Sequence, residues 1–337
     1  MLIRKILKLT SAFLAFTTTK TINFIIKLCQ FLSSFISNFK NMNFNIIITG
    51  ASGWLGKATL EYFYKIFQNK IGEFVFPISS SQKNIILSNN FSIKTYDYSY
   101  NFDKNKTYII LHYGYATKDK LAILSDDEFN KNCQKINDSL SKIIKNYRIE
   151  SLIFPSSGAI YNQKNLYAKN KIDDELYFLE LSKKYNFNIM IPRIFNIGGP
   201  FINKPQDYAL SNIIIQVKTN KKIIINANND VFRSYVHVEN LIDLFFKWLI
   251  DKNKETPLIF DISSPHKIEI KDLAKKISEI LKFNCEIITP NHNSQNQSDD
   301  YVGDPTKMLS LFEKYQIKMF DIDKIISDTN LFLNNNK

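Results

Sequence analysis

The stretch Asn45–Gly56, NIIITGASGWLG, constrains the fold of this 337-residue chain more than any other. A run of β-branched residues ends at Gly50, glycines recur at Gly53 and Gly56, and a helical pattern follows at once. A strand, a tight glycine turn and a helix N-terminus in this order form a phosphate cradle, because backbone N–H groups and the helix dipole point at an anion. Without a Cβ, Gly50 and Gly53 let the backbone approach a pyrophosphate, and Gly56 lets the helix pack close to the strand. The stretch therefore predicts a dinucleotide-binding turn.

Strand-like runs alternate with helical patterns after this turn. Strands are predicted at 44–49, 73–78, 91–97, 108–113, 151–155 and 188–195, and helices at about 54–68, 126–147 and 166–185. Such alternation is typical of a parallel sheet with helical crossovers. The predicted fold class is α/β: a doubly wound parallel-sheet Rossmann domain with a smaller, discontinuous C-terminal substrate-binding domain.

The alternation loosens after residue 198, where turns rich in Asn, Pro and Ser separate short elements. We expect the Rossmann domain to comprise 42–198 plus about 232–262, because Arg233–Asp251 and Leu258–Ile262 are expected to return to the large sheet. The substrate-binding cap would comprise about 199–231 plus 263–330.

The first 41 residues form a basic, apolar extension with six Lys or Arg and no acid. Lys20 and Lys27 interrupt it, so it lacks the stretch of about 20 apolar residues that spans a bilayer. It could be a basic amphipathic helix with weak contact to a membrane surface, a disordered arm, or a segment upstream of a true start at Met42. We favour the start at Met42, because this residue leads directly into the first strand.

The net charge of +12 falls to +6 without residues 1–41, and the remaining charge is spread along Lys-rich helices. This distribution favours a solvated surface over a nucleic-acid-binding stripe, so we expect no nucleic-acid partner. The three cysteines, Cys29, Cys133 and Cys285, are far apart and lack metal-ligand spacing. We therefore expect no metal and a reduced, cytoplasmic compartment.

Ser157 follows a predicted strand, and ten residues later Tyr167 and Lys171 stand at i and i+4 on one helix face. A lysine ammonium beside the phenol would lower the pKa of Tyr167 from about 10 toward neutrality. Tyr167 could then exchange a proton with a hydroxyl during hydride transfer, with Ser157 hydrogen-bonding the same oxygen. Tyr100 and Lys104 repeat the spacing, but they lie in a polar connection, where a solvated loop is the better interpretation.

Six motifs occur in the order TGASGWLG, LHYGYA, PSSGAIY, YAKNK, PRIFNIGGP and RSYVHVENL. Together they resemble the extended short-chain dehydrogenase/reductases, the NAD-dependent epimerase/dehydratase family of sugar-nucleotide enzymes, over roughly residues 44 to 310. The resemblance implies NAD or NADP as cofactor, a sugar nucleotide as substrate, and a homodimer formed through the helices near 126–147 and 166–185.

The resemblance also implies individual roles. Ser157, Tyr167 and Lys171 would be the catalytic trio, while Ser157, Asn196 and Arg233 would bind substrate, with the Arg233 guanidinium suited to a diphosphate. Asp97 would lie at the adenine. The full set of cofactor-binding residues implied is Gly50, Ser52, Gly53, Trp54, Leu55, Gly56, Ser79, Ser80, Asp97, Tyr113, Gly114, Tyr115, Asn132, Tyr167, Lys171 and Ile194.

The chain departs from the family pattern in ways that bear on the reaction. Dehydratases of the family place an Asp-Glu pair directly after the catalytic Ser or Thr, where this chain has Gly158-Ala159, so 4,6-dehydration is disfavoured. No acid follows strand two; hydroxyls and a lysine over 79–83 suit a 2′-phosphate, which favours NADP over NAD. The Ser157-to-Tyr167 gap is short, and Gln297, Ser298 and Asp299 stand where a second diphosphate-binding arginine is common.

Three functions remain open. A sugar-nucleotide 4-ketoreductase would consume NADPH, and a 4-epimerase would keep NAD bound while it oxidises and re-reduces C4. A catalytically silent NAD(P) sensor is disfavoured, because Ser157, Tyr167 and Lys171 are all present. Outside the site, we expect Arg193 to form a structural ion pair and His237 to be a core histidine, and we expect Trp54 to shield the cradle.

Overall fold

The computed structural model describes residues 44–116, 123–162, 165–219, 222–290 and 298–335, so the expectations about residues 1–41 lie outside it. None of the helices in these ranges is long and apolar enough to cross a membrane. Residues 45–337 form one compact unit. The division into a Rossmann domain and a cap at the boundaries given above therefore stays a prediction.

The strands are β1 (Phe44–Thr49), β2 (Val75–Ile78), β3 (Asn84–Ile86), β4 (Ser92–Lys94), β5 (Thr107–His112), β6 (Arg148–Ile153), β7 (Ser156–Ser157), β8 (Asn188–Ile194), β9 (Ile197–Gly198), β10 (Lys222–Ile224), β11 (Val231–Ser234), β12 (Val236–His237), β13 (Leu258–Ile262), β14 (Lys267–Glu269), β15 (Glu286–Ile288) and β16 (Asp299–Tyr301). The helices are α1 (Trp54–Phe67), α2 (Ile71–Phe74), α3 (Asp126–Asn146), α4 (Leu166–Tyr185), α5 (Ala209–Thr219), α6 (Val238–Ile250), α7 (Ile270–Leu281), α8 (Thr306–Lys314) and α9 (Ile322–Asn335).

The central sheet has the strand order β2-β1-β5-β6-β8-β13, with β7 added beside β8. The pairs β1–β2, β5–β6, β6–β8 and β8–β13 are all parallel. The order reverses between β1 and β5, because the chain leaves β1 for one edge of the sheet and returns on its other side. This order and the flanking helices confirm the doubly wound α/β fold.

Helices cover both faces of the sheet. Ile46, Ile47 and Ile48 are all at most 1% exposed, which explains why β1 is continuously apolar rather than alternating. On one face, α3 and α4 contribute Leu140 and Phe178 to the core beneath the sheet. Elsewhere α1 packs against α6, whose sequence is largely apolar.

The predicted third strand, 91–97, is not a full strand of the main sheet. Only Tyr96 bridges to Ile78, through Tyr96 N to Pro77 O and Ser79 N to Tyr96 O. The next rung of a parallel ladder would need an N–H from Pro77, which proline lacks. The chain turns instead into a two-stranded antiparallel ribbon of β3 and β4.

The remaining strands form small sheets outside the main one: β14-β11-β16, β10-β15 and β9-β12. Side chains from α5, α7 and α9 share a separate core with them. The expectation for Arg233–Asp251 is therefore right only in part, because Arg233 lies in β11 whereas the following helix α6 packs on α1. Leu258–Ile262 joins the main sheet beside β8, as expected.

Candidate active site

The turn after β1 has contacts that only glycine permits. Gly50 has φ +64°, and a Cβ on it would lie 2.6 Å from the Gly114 nitrogen. A Cβ on Gly56 would lie 2.4 Å from the Gly50 carbonyl oxygen, so α1 begins directly against the strand. Gly53 N donates to that same oxygen at 2.9 Å. The cradle therefore lies where β1 and β5 end together, at the reversal of strand order, which is the ligand-binding edge of open α/β sheets.

Hydrogen bonds hold the segment after β5 against this cradle. Thr49 Oγ1 lies 2.6 Å from His112 Nδ1 and accepts from Gly114 N at 3.2 Å. Burial, with a further effect of Lys171, lowers the pKa of His112 to about 3, so its ring is neutral. Tyr113 accepts a hydrogen bond from Thr59 of α1 at 3.1 Å. The Tyr113–Tyr115 segment is thus beside the glycine turn, as the sequence implies.

Trp54 does not shield the cradle with its side chain. Its Nε1 donates to the Pro200 carbonyl at 2.7 Å, and its ring meets Tyr208 edge-on. The indole also packs with Val238 and Ile242 of α6. The Trp54 side chain therefore joins α1 to the segment after β9. The Trp54 backbone N–H remains at the start of the helix, and its neighbours Ser52 and Leu55 are half-buried.

The end of β2 differs from the expectation for Ser79. This residue is 3% exposed, and its hydroxyl is bonded to Thr95 Oγ1 at 2.7 Å and the Ser81 carbonyl at 2.6 Å. It stabilises the connection instead of facing a cofactor. Ser80 is exposed. Asp97 accepts from Ser99 and Gln82, and these bonds, led by Ser99, lower its pKa. An ionised carboxylate therefore stands beside the segment that follows β2.

Ser157 lies at the centre of the predicted catalytic residues. It pairs with Ile194 across β7 and β8, which places that predicted cofactor-binding residue beside it. Its Oγ accepts from Ala159 N at 3.2 Å and hydrogen-bonds the Tyr167 phenol. Asn165 caps α4 by accepting from Ala168 N at 2.9 Å, and this cap sets the helix start that presents Tyr167.

Lys171 is 4% exposed and donates to the Pro155 carbonyl at 3.0 Å. Its ammonium lies 3.5 Å from the centre of the Tyr115 ring, whose edge in turn meets Tyr167. Burial lowers the pKa of Lys171 to about 8. The expectation that Lys171 lowers the pKa of Tyr167 is wrong for the protein alone: burial raises that pKa above 10, and the bond to Ser157 offsets only part.

The face of α3 that reaches the site carries Cys133 rather than Asn132. Cys133 is buried with Tyr115 and Tyr167, whereas Asn132 is exposed, so its implied support of the cofactor is not upheld. Successive residues on a helix point about 100° apart, so Asn132 and Cys133 face different directions. Neither side chain is bulky or charged enough to show from the sequence which of the two faces the site.

Two of the three implied substrate residues, Asn196 and Arg233, lie close together beside β16. Asn196 donates to the Ser234 carbonyl at 3.1 Å and to the Tyr301 carbonyl at 3.5 Å, so its amide joins β11 to β16. Arg233 is ion-paired with Asp299 at 2.7 Å.

Tyr301 is a site residue that the sequence did not single out. Its hydroxyl lies 3.3 Å from Ser157 Oγ, although the two residues are 144 positions apart. Its ring contacts Phe195 at 4.9 Å and lies under the Arg233 guanidinium. A three-residue strand carries no periodic signal, so only the folded chain shows that Tyr301 links Ser157 to the strands β11 and β16.

Arg193 and His237 have structural roles, as expected. Arg193 binds Glu175 through two hydrogen bonds of 3.1 and 2.8 Å and also donates to Tyr161. His237 is fully buried; it accepts from Glu239 N and lies 3.2 Å from Asp328.

The donor set fits a dinucleotide cofactor. The glycine turn presents backbone N–H groups at the start of α1, and a Cβ on Gly50 or Gly56 would meet the backbone and force this turn open. Tyr167 and Lys171 lie past the end of β6, on the same edge of the sheet, where a nicotinamide ribose would be held.

The model of the NAD dependent epimerase/dehydratase family matches residues 46–263. The chain is 22% identical over 271 residues to dTDP-D-glucose 4,6-dehydratase of Dictyostelium discoideum, which covers 70% of this chain and 62% of that protein. It is 23% identical over 291 residues to GDP-L-fucose synthase of the same organism, covering 75% and 84%. UDP-N-acetylglucosamine 4-epimerase from Methanobrevibacter ruminantium M1 has a similar fold, with a TM-score of 0.69, 18% identity and coverage of 87% and 99%.

The chain spans 40 to 62% of the length of the first curated relatives that it matches. Their reactions differ from one another, so the matches leave the choice of reaction to the residues of this site.

Proposed function

Because the chain belongs to the NAD-dependent epimerase/dehydratase family, we propose that it is a 4-ketoreductase that reduces a nucleoside-diphosphate 4-keto sugar. One observation carries this proposal: half-buried Tyr167 presents its phenol beside Ser157, and Gly158 and Ala159, instead of a carboxylate pair, follow that serine. A ketone acceptor needs a proton donor, and burial keeps the Tyr167 proton in place at neutral pH.

The residues of the site can transfer that proton in a step in which every proton and hydride is accounted for. The carbonyl oxygen would accept the Tyr167 proton as the carbon accepts a hydride, and the phenolate would recover a proton from water. Ser157 would hold the oxygen in line, and its hydrogen bond to Tyr167 would favour the phenolate that is left. When bound, NADPH would supply the hydride.

The space after Ser157 supports the exclusion of 4,6-dehydration. A Cβ on Gly158 would lie 2.6 Å from the Phe195 ring, so an acidic side chain cannot be accommodated there without moving that ring. Ala159 follows. The chain's similarity to 4,6-dehydratases is therefore a similarity of fold and cofactor turn, by our proposal, and not of the dehydrating acids.

NADP is our proposed cofactor over NAD. No acid follows β2 in the sequence, and exposed Ser80 and Lys83 can approach a 2′-phosphate, against the opposing charge of the Asp97 carboxylate that Gln82 contacts. Ser79 no longer contributes to this preference, since its hydroxyl is bonded inward. GDP-L-fucose synthase, among the relatives, supports a reaction in sugar-nucleotide metabolism. We further propose a cytoplasmic homodimer through α3 and α4, on which Leu176 is 58% exposed.

The first test compares cofactor binding with turnover. We expect exchangeable NADPH binding in a fluorescence titration, and NADPH consumption with dTDP-, UDP- or GDP-linked 4-keto-6-deoxy sugars. Tyr167→Phe should lower kcat by about 10²- to 10⁴-fold, while the Kd for NADPH changes by less than about threefold. Tyr100→Phe is the matched control, because Tyr100 belongs to the second Tyr-x-x-x-Lys spacing and lies outside the site.

Other outcomes identify the alternatives. Copurifying NAD that does not exchange, with interconversion of sugar nucleotides and no net NADPH use, would show a 4-epimerase. Cofactor binding without turnover of any of these sugars would indicate a sensor. Full activity in Tyr167→Phe would place the proton donor elsewhere.

A further inference from the structure

The diphosphate-binding arginine of this chain already has an anionic partner. Arg233 donates to Asp299 Oδ2 at 2.7 Å, to the Asp299 carbonyl at 2.9 Å and to the Phe232 carbonyl at 2.8 Å. The arginine is 19% exposed and the aspartate 55% exposed. The guanidinium is therefore bound by two backbone carbonyls and one carboxylate of the protein itself, and water can reach that carboxylate.

Strand pairing places Asp299 on the substrate side. β11 and β16 run parallel, with Val231 opposite Asp299 and Arg233 opposite Tyr301. Side chains two apart on a strand share a face, so Asp299 shares the face of Tyr301, which reaches Ser157. Asp300 takes the opposite face and pairs with Lys267 at 3.0 Å.

The arginine of this pair also borders a cavity. Arg233 lines a space of about 330 Å³ together with Gln206, Asp207, Asn212 and Asn226. This volume lies in the range of small-ligand sites, and amide side chains on its wall can hydrogen-bond a base. A nucleotide seated there would bring its phosphates to Arg233 and into direct competition with the Asp299 carboxylate.

We propose that Asp299 determines specificity by occupying the anion-binding side of Arg233, so that a substrate diphosphate must displace it. This inference rests on the proposed function, because it takes the substrate to be a nucleoside diphosphate sugar. A ligand group with one negative charge would replace the Asp299 carboxylate by an equal charge, so it would gain little binding energy. A diphosphate carries more negative charge and more acceptor oxygens, so it would bind the Arg233 guanidinium more strongly than the carboxylate does.

The test is the affinity for nucleotides, which does not require turnover. UDP, dTDP and GDP, with uridine as the uncharged counterpart of UDP, would be titrated calorimetrically at low ionic strength. Asp299→Asn removes the competing charge, so we expect the diphosphates to bind about three- to tenfold more tightly, with uridine unchanged. Asp300→Asn is the matched control: it removes the same charge from the next residue, on the other face, and should leave all affinities at the wild-type value.

The inference is overturned if Asp299→Asn binds diphosphates no more tightly than wild type, if Asp300→Asn gains as much, or if no variant binds any of them. Asp299→Ser repeats the test should the amide variant misfold. Assays of NADPH consumption run in parallel separate the two proposals: turnover without the affinity gain contradicts only the role of Asp299, and the affinity gain without turnover contradicts only the reaction.

Discussion

Lys171 carries its ammonium into a pocket walled by the Tyr115 and Phe154 rings, where aromatic faces replace part of its hydration. Burial lowers its pKa from 10.5 to about 8, despite the opposing effect of Asp174. The ammonium is therefore present below pH 8 and lost as the pH rises through 8. Tyr167 and Tyr115 keep their protons at that pH, because burial raises both of their pKa values.

We predict that kcat/KM, which reports the free enzyme, falls above a midpoint near pH 8 with the loss of one proton. Lys171→Arg keeps its charge at every pH, so its kcat/KM should be lower but level up to pH 10. Initial rates of NADPH consumption from pH 6 to pH 10 check this. A fall at the same midpoint in Lys171→Arg would assign the titration to another group.

The sequence predicts which residues carry the chemistry but not their electrostatics. Tyr167 and Lys171 are indeed on one helix turn beside Ser157. The predicted direction of the Tyr167 pKa shift was wrong. The spacing of two residues reveals a neighbouring charge, but it does not reveal how much water the fold removes from around the phenol.

The glycine turn is the element on which we propose that cofactor binding depends, and its constraint is geometric. Gly50 combines a left-handed φ of +64° with a backbone contact at 2.6 Å that no side chain can relieve. Gly72 in α2 offers a contrast, since a Cβ there would meet no atom of the described structure within 4 Å.

Gly50→Ala should lower the free energy of unfolding by about 1–3 kcal/mol and weaken NADPH binding at least about tenfold, because β1 and the Gly114 backbone must separate. Gly72→Ala should be neutral or stabilising by up to about 1 kcal/mol, with NADPH affinity unchanged. Urea unfolding and fluorescence titration measure the two effects. Equal losses in both variants would show that the turn tolerates a Cβ.

Long elements with a strong period were predicted closely, and short ones were not. The 20-residue helix α4 has the predicted ends, and β1 has the predicted bounds. The third strand failed because a single proline in its neighbour removes the donor for the next rung. The strands β10, β11, β14, β15 and β16 have only three or four residues each, and their partners come from distant parts of the chain, so no local pattern predicts them.

At the scale of the whole molecule, the described fold begins at Phe44 with a complete first strand, two residues after Met42. Half of the net charge of +12 lies in residues 1–41. The chemistry that we propose uses none of those residues.

A chain that starts at Met42 should therefore have the melting temperature and NADPH affinity of the full chain. Its binding to vesicles of phosphatidylcholine and phosphatidylserine should be weaker if the first 41 residues contact membranes, with pure phosphatidylcholine as the control for charge. Co-sedimentation and thermal unfolding check both points. Loss of cofactor binding on truncation would contradict a peripheral role for these residues.

The sequence alone determined the fold class, and it predicted the cofactor turn and the Ser157, Tyr167 and Lys171 set, because these depend on local periodicity and on backbone freedom within a few residues. Tertiary structure alone decided that Tyr301 meets Ser157, that Ser79 is bonded inward and that Asp299 holds Arg233. Those contacts join residues 16 to 144 positions apart. Hydrogen bonds and ion pairs of this kind form only where the folded chain brings two surfaces together, so local sequence patterns do not encode them.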